Sequence, residues 1–230
     1  LWRHLIERVG RHADILRIDH AMAVHRLWWV PDGFPATQGV YVTYPRDEIL
    51  AVIAASAAAA GLTIVGEDLG TVPDEVSEAF EHWDVLGMYE EQFHMDDDQL
   101  THIPARTVAG IRTHDMEPIA DLVATTDTGA YRKRLGDAHG CDIAARWDDV
   151  VDQMLVRLSW SDAYLVIADL DDLLGERRPH NLPGRVGPEL WSRRLERPTS
   201  ETLDDPDVRR RLATLAHRRD DPDANTRSST

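Results

Sequence analysis

Three apolar, β-branched runs that each stop at a carboxylate predict an α/β fold. They are ADILRIDH, reaching Asp19, LTIVGEDLG, reaching Glu67, and TVAGIRTHD, reaching Asp115. Parallel strands covered on both faces read this way, and α/β proteins place their chemistry at the carboxyl ends of such strands. The second observation is spacing. Asp19 to Glu67 and Glu67 to Asp115 are each 48 positions, whereas one β/α unit of a TIM barrel occupies roughly 30 residues. The first interval then holds one unit plus a tryptophan-bearing insertion, and the second holds two. The third observation is that about five strands emerge, too few to close eight, and that Leu1 falls inside a helix. The expectation is the carboxyl-terminal portion of a (β/α)8 TIM barrel, about strands 4 to 8, over residues 1–219, with a polar, disordered tail at 220–230.

The elements follow in order. Leu1 to His12 is an amphipathic helix with Leu1, Leu5, Ile6 and Val9 on one face, and Asp14 to Asp19 is a strand. Ala21 to Pro45 carries Trp28, Trp29, Pro31, Gly33, Pro35 and Gly39 and reads as loop with short helical pieces. Arg46 to Ala60 is a helix closed by Gly61, and Leu62 to Gly66 a strand. Thr71 to Trp83 is a helix with Thr71 as N-cap and Pro73 near its first turn. Val85 to His94 and Thr107 to Thr113 are strands, followed by one or two helices through Leu158 and a last strand from Ala163 to Asp169. Arg178 to Leu190 is a Pro/Gly/Asn loop, and Ser200 to Arg218 a closing helix.

Composition excludes several classes of function. A net charge of −16 argues against a nucleic-acid backbone or an anionic membrane as partner. The single cysteine, Cys141, rules out an internal disulfide and fits a reducing, cytoplasmic compartment. No secretory signal is read at the amino terminus, and the most apolar stretch, Ile49 to Gly61, is too short to span a bilayer. Lys133 is the only lysine.

Three acids at strand ends suit glycoside chemistry. One attacks or stabilises the anomeric carbon, a second moves the proton, and a third holds sugar hydroxyls. Arg17 lies two residues before Asp19, on the same face of the strand, where its guanidinium can hold and aim the Asp19 carboxylate. His114 adjoins Asp115 and is placed to meet a sugar hydroxyl. Two alternatives stand beside this reading. A magnesium-dependent enolase-type barrel also sets acids at strand ends, but needs a Lys or His base beside the metal, and Lys133 lies in a helix-like segment. A non-catalytic glucan-binding remnant would keep the fold without turnover.

RIDH, GEDLG and THD, in this order, resemble the nucleophile, acid/base and stabiliser motifs of the 4-α-glucanotransferases known as amylomaltases, relatives of the α-amylases. The likeness extends through LRIDHAMAVHRLWWVP, QGVYVTYPRDEIL and TIVGEDLGTVPDEV to the later DLLG, NLPG and LWSRRL segments. It implies that Asp19 is the nucleophile, Glu67 the general acid/base and Asp115 the transition-state stabiliser. Arg17 and His114 match supporting positions, and His20 and Asn181 match positions that touch glucan. The implied reaction is a retaining transfer of α-1,4-glucan segments to glucose or another glucan, with no metal or organic cofactor. Two departures go with it: Met116-Glu117-Pro118 follows THD, where many members read otherwise, and the amino-terminal part of the barrel is missing, so the activity is expected of a longer parent protein.

Other residues receive plainer readings. Asp96, Asp97 and Asp98 lack the alternating ligands and glycine of a calcium loop and read as a solvated loop. Trp28 and Trp29 suit sugar stacking and packing equally. One of Tyr89, Glu90, Glu91 and Phe93 is expected to line a cleft. His102, His180 and His217 read as surface residues, and Trp191 with Arg193 and Arg194 as a structural clasp near the barrel base.

Overall fold

A computed structural model describes residues 1–219. The expected tail at 220–230 and the side chain of His217 lie outside the described residues. The chain divides into two compact units, Leu1–Met88 with Arg106–Val108, and Tyr89–Ala105 with the chain from Ala109 onward.

The first unit opens with α1 (Trp2–Val9) and β1 (Ile15–Ile18), and continues with β2 (Arg26–Trp29), β3 (Val40–Thr43), α2 (Arg46–Ala60), β4 (Thr63–Gly66) and α3 (Asp74–His82). β1 and β4 pair in parallel from Ile15↔Thr63 to Ile18↔Gly66. The ladder extends through a parallel bridge between Val65 and Leu86. α2 starts with Asp47 and Glu48, which complement the positive end of the helix, and stops at Gly61, whose φ of 69° is cheap only for glycine. Ile6, Leu50, Ile53, Ile64, Val76 and Phe80 form its core.

Two expectations fail here. The Ala21–Pro45 excursion contains an antiparallel hairpin, with Arg26↔Thr43 at one end and Trp29↔Val40 at the other. The β-branched VYVT run was hidden by its Pro and Gly neighbours, which occupy the turn rather than the strands. Thr71 does not cap α3. Pro73 stands at that cap, and the residue before a proline is driven out of helical geometry.

The three-stranded order β5 (Gly87–Glu90), β6 (Thr107–Gly110), β7 (Leu165–Val166) follows, and the division between units passes within β5 and β6. In the second unit, Ile167 N–H donates to Ala109 O at 2.9 Å. The remaining helices are α4 (Ile119–Thr125), α5 (Gly129–His139), α6 (Trp147–Ser159), α7 (Leu170–Leu174), α8 (Thr199–Asp204) and α9 (Pro206–Arg219). Val150, Val151, Met154, Leu155 and Leu158 place a fully buried stripe of α6 in the core.

Three helices therefore occupy the span expected to hold one or two. The expected closing helix is two helices, because Asp205-Pro206 starts a new one: Asp205 Oδ1 accepts Asp207 N–H at 3.0 Å and proline occupies the first turn. The last strand shortens to two residues because Asp169 leaves it to cap α7, accepting Asp171 N–H at 2.8 Å.

The strand expected to run to His94 ends at Glu90 and becomes a 3-10 turn, Glu91–His94. Glu91 is fully buried. It accepts the hydroxyls of Tyr89 at 3.0 Å and Tyr131 at 2.8 Å, and Arg157 Nε donates to both of its oxygens. Burial, reinforced by the adjacent carboxylate, pushes both tyrosine hydroxyls above their usual range. A charge buried so completely persists only when every lone pair finds a donor. Glu91 and Tyr89 are thus core residues, and neither lines a cleft, while Phe93 is exposed.

Candidate active site

Asp19 and Glu67 each stand one residue past the end of a strand, and the β1–β4 register sets those ends side by side at Ile18↔Gly66. The turn between them is tied by main chain. Glu67 N–H donates to Ile18 O at 2.9 Å and Ala21 N–H to Glu67 O at 3.0 Å. Both side-chain oxygens of Glu67 accept main-chain N–H groups, from His20 at 2.8 Å and Leu69 at 3.0 Å. His20 reaches that position in the left-handed region, at φ 44°, a conformation found at sites whose surroundings overdetermine the backbone. Arg17 Nη1 lies 2.8 Å from Asp19 Oδ1, as its position two residues earlier predicts.

Sequence reading missed Asp68. Its Oδ1 accepts Met88 N–H at 2.8 Å, and Met88 Sδ in turn lies 3.2 Å from Arg17 Nε. Burial raises the Asp68 carboxyl above its usual value, partly offset by the Met88 N–H. A Cβ at Gly87 would fall 2.6 Å from Asp68 Oδ2, so the glycine leaves room for that carboxylate against the strand. One side chain thus links the turn bearing Glu67 to the support of Asp19. The available signal was an acid after Glu67 with a glycine opening the next strand.

In the second unit, Asp115 follows β6 on the loop that begins at Ile111. Asn181 Nδ2 donates to Asp115 Oδ1 at 2.5 Å, and His114 Nε2 lies 3.4 Å from the same oxygen. Within the loop, Arg112 is buried and its Nε donates to Asp172, whose Oδ1 also accepts Ile119 N–H at 3.1 Å. Burial nevertheless pushes the Asp172 carboxyl up to about 6.

The structure therefore gathers Arg17, Asp19, His20 and Glu67 in one unit and His114, Asp115 and Asn181 in the other. Two readings need correction. His180 is not a free surface residue: its Nε2 lies 3.0 Å from buried Asp171, and its ring stacks on Trp191. Trp191 is not remote from the candidate site, since its ring centroid lies 5.1 Å from that of His114. Lys133 pairs with Asp137 at 2.6 Å on the exposed face of α5. Trp28 and Trp29 are both largely exposed on the hairpin, each with its indole N–H donating, to Ala36 O and the Tyr44 hydroxyl. Asp97 accepts from Thr101 and sits 2.8 Å from His94, and among the described residues no cluster of His, Cys, Asp and Glu is arranged to hold a metal ion.

Comparison with known proteins agrees along nearly the whole chain. The 4-alpha-glucanotransferase family model matches residues 1–200. The 4-alpha-glucanotransferase of Mycobacterium tuberculosis is 32% identical over 254 aligned positions, covering 94% of this chain and 35% of that protein. That of Haemophilus influenzae is 35% identical over 160, covering 67% of this chain and 23% of that protein. Among solved structures, amylomaltase from Corynebacterium glutamicum superposes with a TM-score of 0.79 at 19% identity, over 93% of this chain and 37% of that one. Amylomaltase from Streptococcus agalactiae, in complex with acarbose, gives 0.80 at 20% identity, over 95% and 44%. These two show the fold. The chain spans about a third of the length of the M. tuberculosis relative.

Proposed function

The chain belongs to the 4-alpha-glucanotransferase family, and from that premise we propose that the protein carrying it moves α-1,4-glucan segments to the 4-hydroxyl of glucose or another glucan. The observation that carries this reading is the pairing of Asp19 and Glu67 at the ends of adjacent parallel strands, with Arg17 on Asp19. Neighbouring strands lie about 4.8 Å apart, and retaining glycosidases hold their two carboxyl groups about 5–5.5 Å apart. On this reading β1, β4, β5, β6 and β7 are strands 4 to 8 of a (β/α)8 barrel, and the active acids sit at its carboxyl-terminal face.

The chemistry is a double displacement. The Asp19 carboxylate forms a bond to the anomeric carbon as the glycosidic bond breaks, and Glu67 gives its proton to the departing oxygen. The acceptor 4-hydroxyl then attacks the glucosyl ester, Glu67 takes the hydroxyl proton, and Asp19 leaves. Asp115 binds sugar hydroxyls as charge develops at the anomeric carbon, with Asn181 and His114 orienting it, while His20 contacts glucan beside Asp19. No step draws on a metal or organic cofactor. The expected partners are maltooligosaccharides, starch or glycogen as donor and glucose as acceptor, in the cytoplasm.

Maltotriose tests the reading. The complete protein should convert it to glucose and longer maltodextrins. Hydrolysis to glucose and maltose alone, or no product at all, would overturn it, the second outcome marking a binding remnant.

A further inference from the structure

Asn181 and Trp191 reach Asp115 and His114 from one loop. Residues 180–191 leave and return at a single neck, where Trp191 N–H donates to His180 O at 2.9 Å. Loops closed in this way behave as compact units whose position depends on the neck. Trp191 itself has φ 57°, a left-handed conformation that a bulky side chain holds only when its surroundings require it.

What holds the neck is a buried carboxylate. Asp171, in α7, is 2% exposed. Its Oδ2 accepts a hydrogen bond from Arg193 and lies 3.0 Å from His180 Nε2, so the residues just inside and just outside the neck meet on one oxygen. Arg193 Nη1 also reaches Glu176 Oε2 at 3.3 Å, and Glu176 N–H donates to Asp171 O at 2.9 Å. Arg112, two residues before His114 on the Asp115 loop, lies 3.8 Å from the same Asp171 oxygen. One side chain thus faces both loops.

We propose that Asp171 is the positioning residue for this part of the site: through Arg193 and His180 it fixes the 180–191 loop so that Asn181 aims at Asp115 and Trp191 braces His114. The proposal rests on the reading of Asp115 as transition-state stabiliser. Asp171 touches no substrate. It acts through Asn181 and Trp191.

The experiment is a double-mutant cycle in the complete protein, run on maltotriose. Asp171→Asn keeps the shape and removes the charge. The kcat should fall on the order of tenfold, the scale of one charge-assisted hydrogen bond, while KM changes little, because orientation of Asp115 matters only in the transition state. Asp171→Asn combined with Asn181→Ala should lose less than the product of the two single losses, since both disturb the Asn181–Asp115 contact. Additive losses would overturn the proposal, as a merely structural role predicts them. A second readout needs no activity: trypsin should cut after exposed Arg185 several-fold faster in Asp171→Asn than in wild type. Wild-type cleavage would also overturn it. Arg193→Lys, which keeps charge but loses the planar fork, should reproduce both effects if Asp171→Asn fails to fold. If Asp115→Asn leaves transfer intact, the functional reading fails, and the cleavage rate still decides whether Asp171 anchors the loop.

Discussion

In the first unit, Glu67 is held by main-chain N–H groups of His20 and Leu69. In the second, Asp115 is held by the side chains of Asn181 and His114, one of them 66 positions away. The difference is one of origin. Main-chain donors come with the strand-to-turn geometry and survive most substitutions. Side-chain donors depend on which residue a distant loop delivers. Individual ion pairs differ similarly: Arg3 with Glu7 on α1 is exposed, as is Lys133 with Asp137 on α5, whereas Glu91 with Arg157 and Arg112 with Asp172 are buried.

The largest expected effect is on the proposed transfer reaction. Asp19→Asn in the complete protein should reduce kcat for maltotriose by about a thousandfold or more, as loss of a nucleophile does, while glucan binding by calorimetry stays close to wild type. Near-normal turnover would remove Asp19 from the mechanism. Next comes the contrast in ion pairs. Glu91→Gln leaves Arg157 buried without its counter-charge and should cost about 3–5 kcal/mol. Glu7→Gln on the exposed face of α1 should cost less than about 1 kcal/mol. Denaturant midpoints of the two variants measure the difference.

The contrast in donors follows. Asn181→Ala removes a hydrogen bond to a carboxylate, worth about 1.5–3 kcal/mol, and should lower kcat about ten- to a hundredfold. Leu69→Ala keeps the N–H that Glu67 accepts and should leave kcat within about twofold of wild type, because a main-chain donor does not depend on its side chain. Equal losses in the two variants would erase the distinction.

The smallest effect is a pH dependence at the loop neck. The Arg178 guanidinium and nearby N–H groups hold the Glu176 carboxyl down to about 2, from a usual 4.5. Its folded value lies below its unfolded one, so its contribution is fully present above pH 4.5 and is lost as pH falls toward 2. Thermal melts across that window should show a smaller acid-dependent loss in Glu176→Gln than in wild type.

What the amino-acid sequence determined by itself was local. The strand ends preceding Asp19 and Glu67, the Gly61 stop and the same-face contact of Arg17 with Asp19 all follow from patterns a few residues long, whereas the strand before Asp115 ends at Gly110, short of the expected Thr113. The motif RIDH–GEDLG–THD pointed to the family that the comparison established. The tertiary structure alone decided the rest. It paired VYVT with RLWW into a hairpin, buried Glu91 among two tyrosines and Arg157, and set Asp68 against Gly87. It also brought His180, Arg193 and Arg112 to Asp171. The Glu91–Arg157 contact alone joins residues 66 positions apart, and nothing in a side chain's immediate neighbours records which distant donor will meet it. Periodicity reports which face is buried, whereas the identity of the partner is settled only when the elements pack.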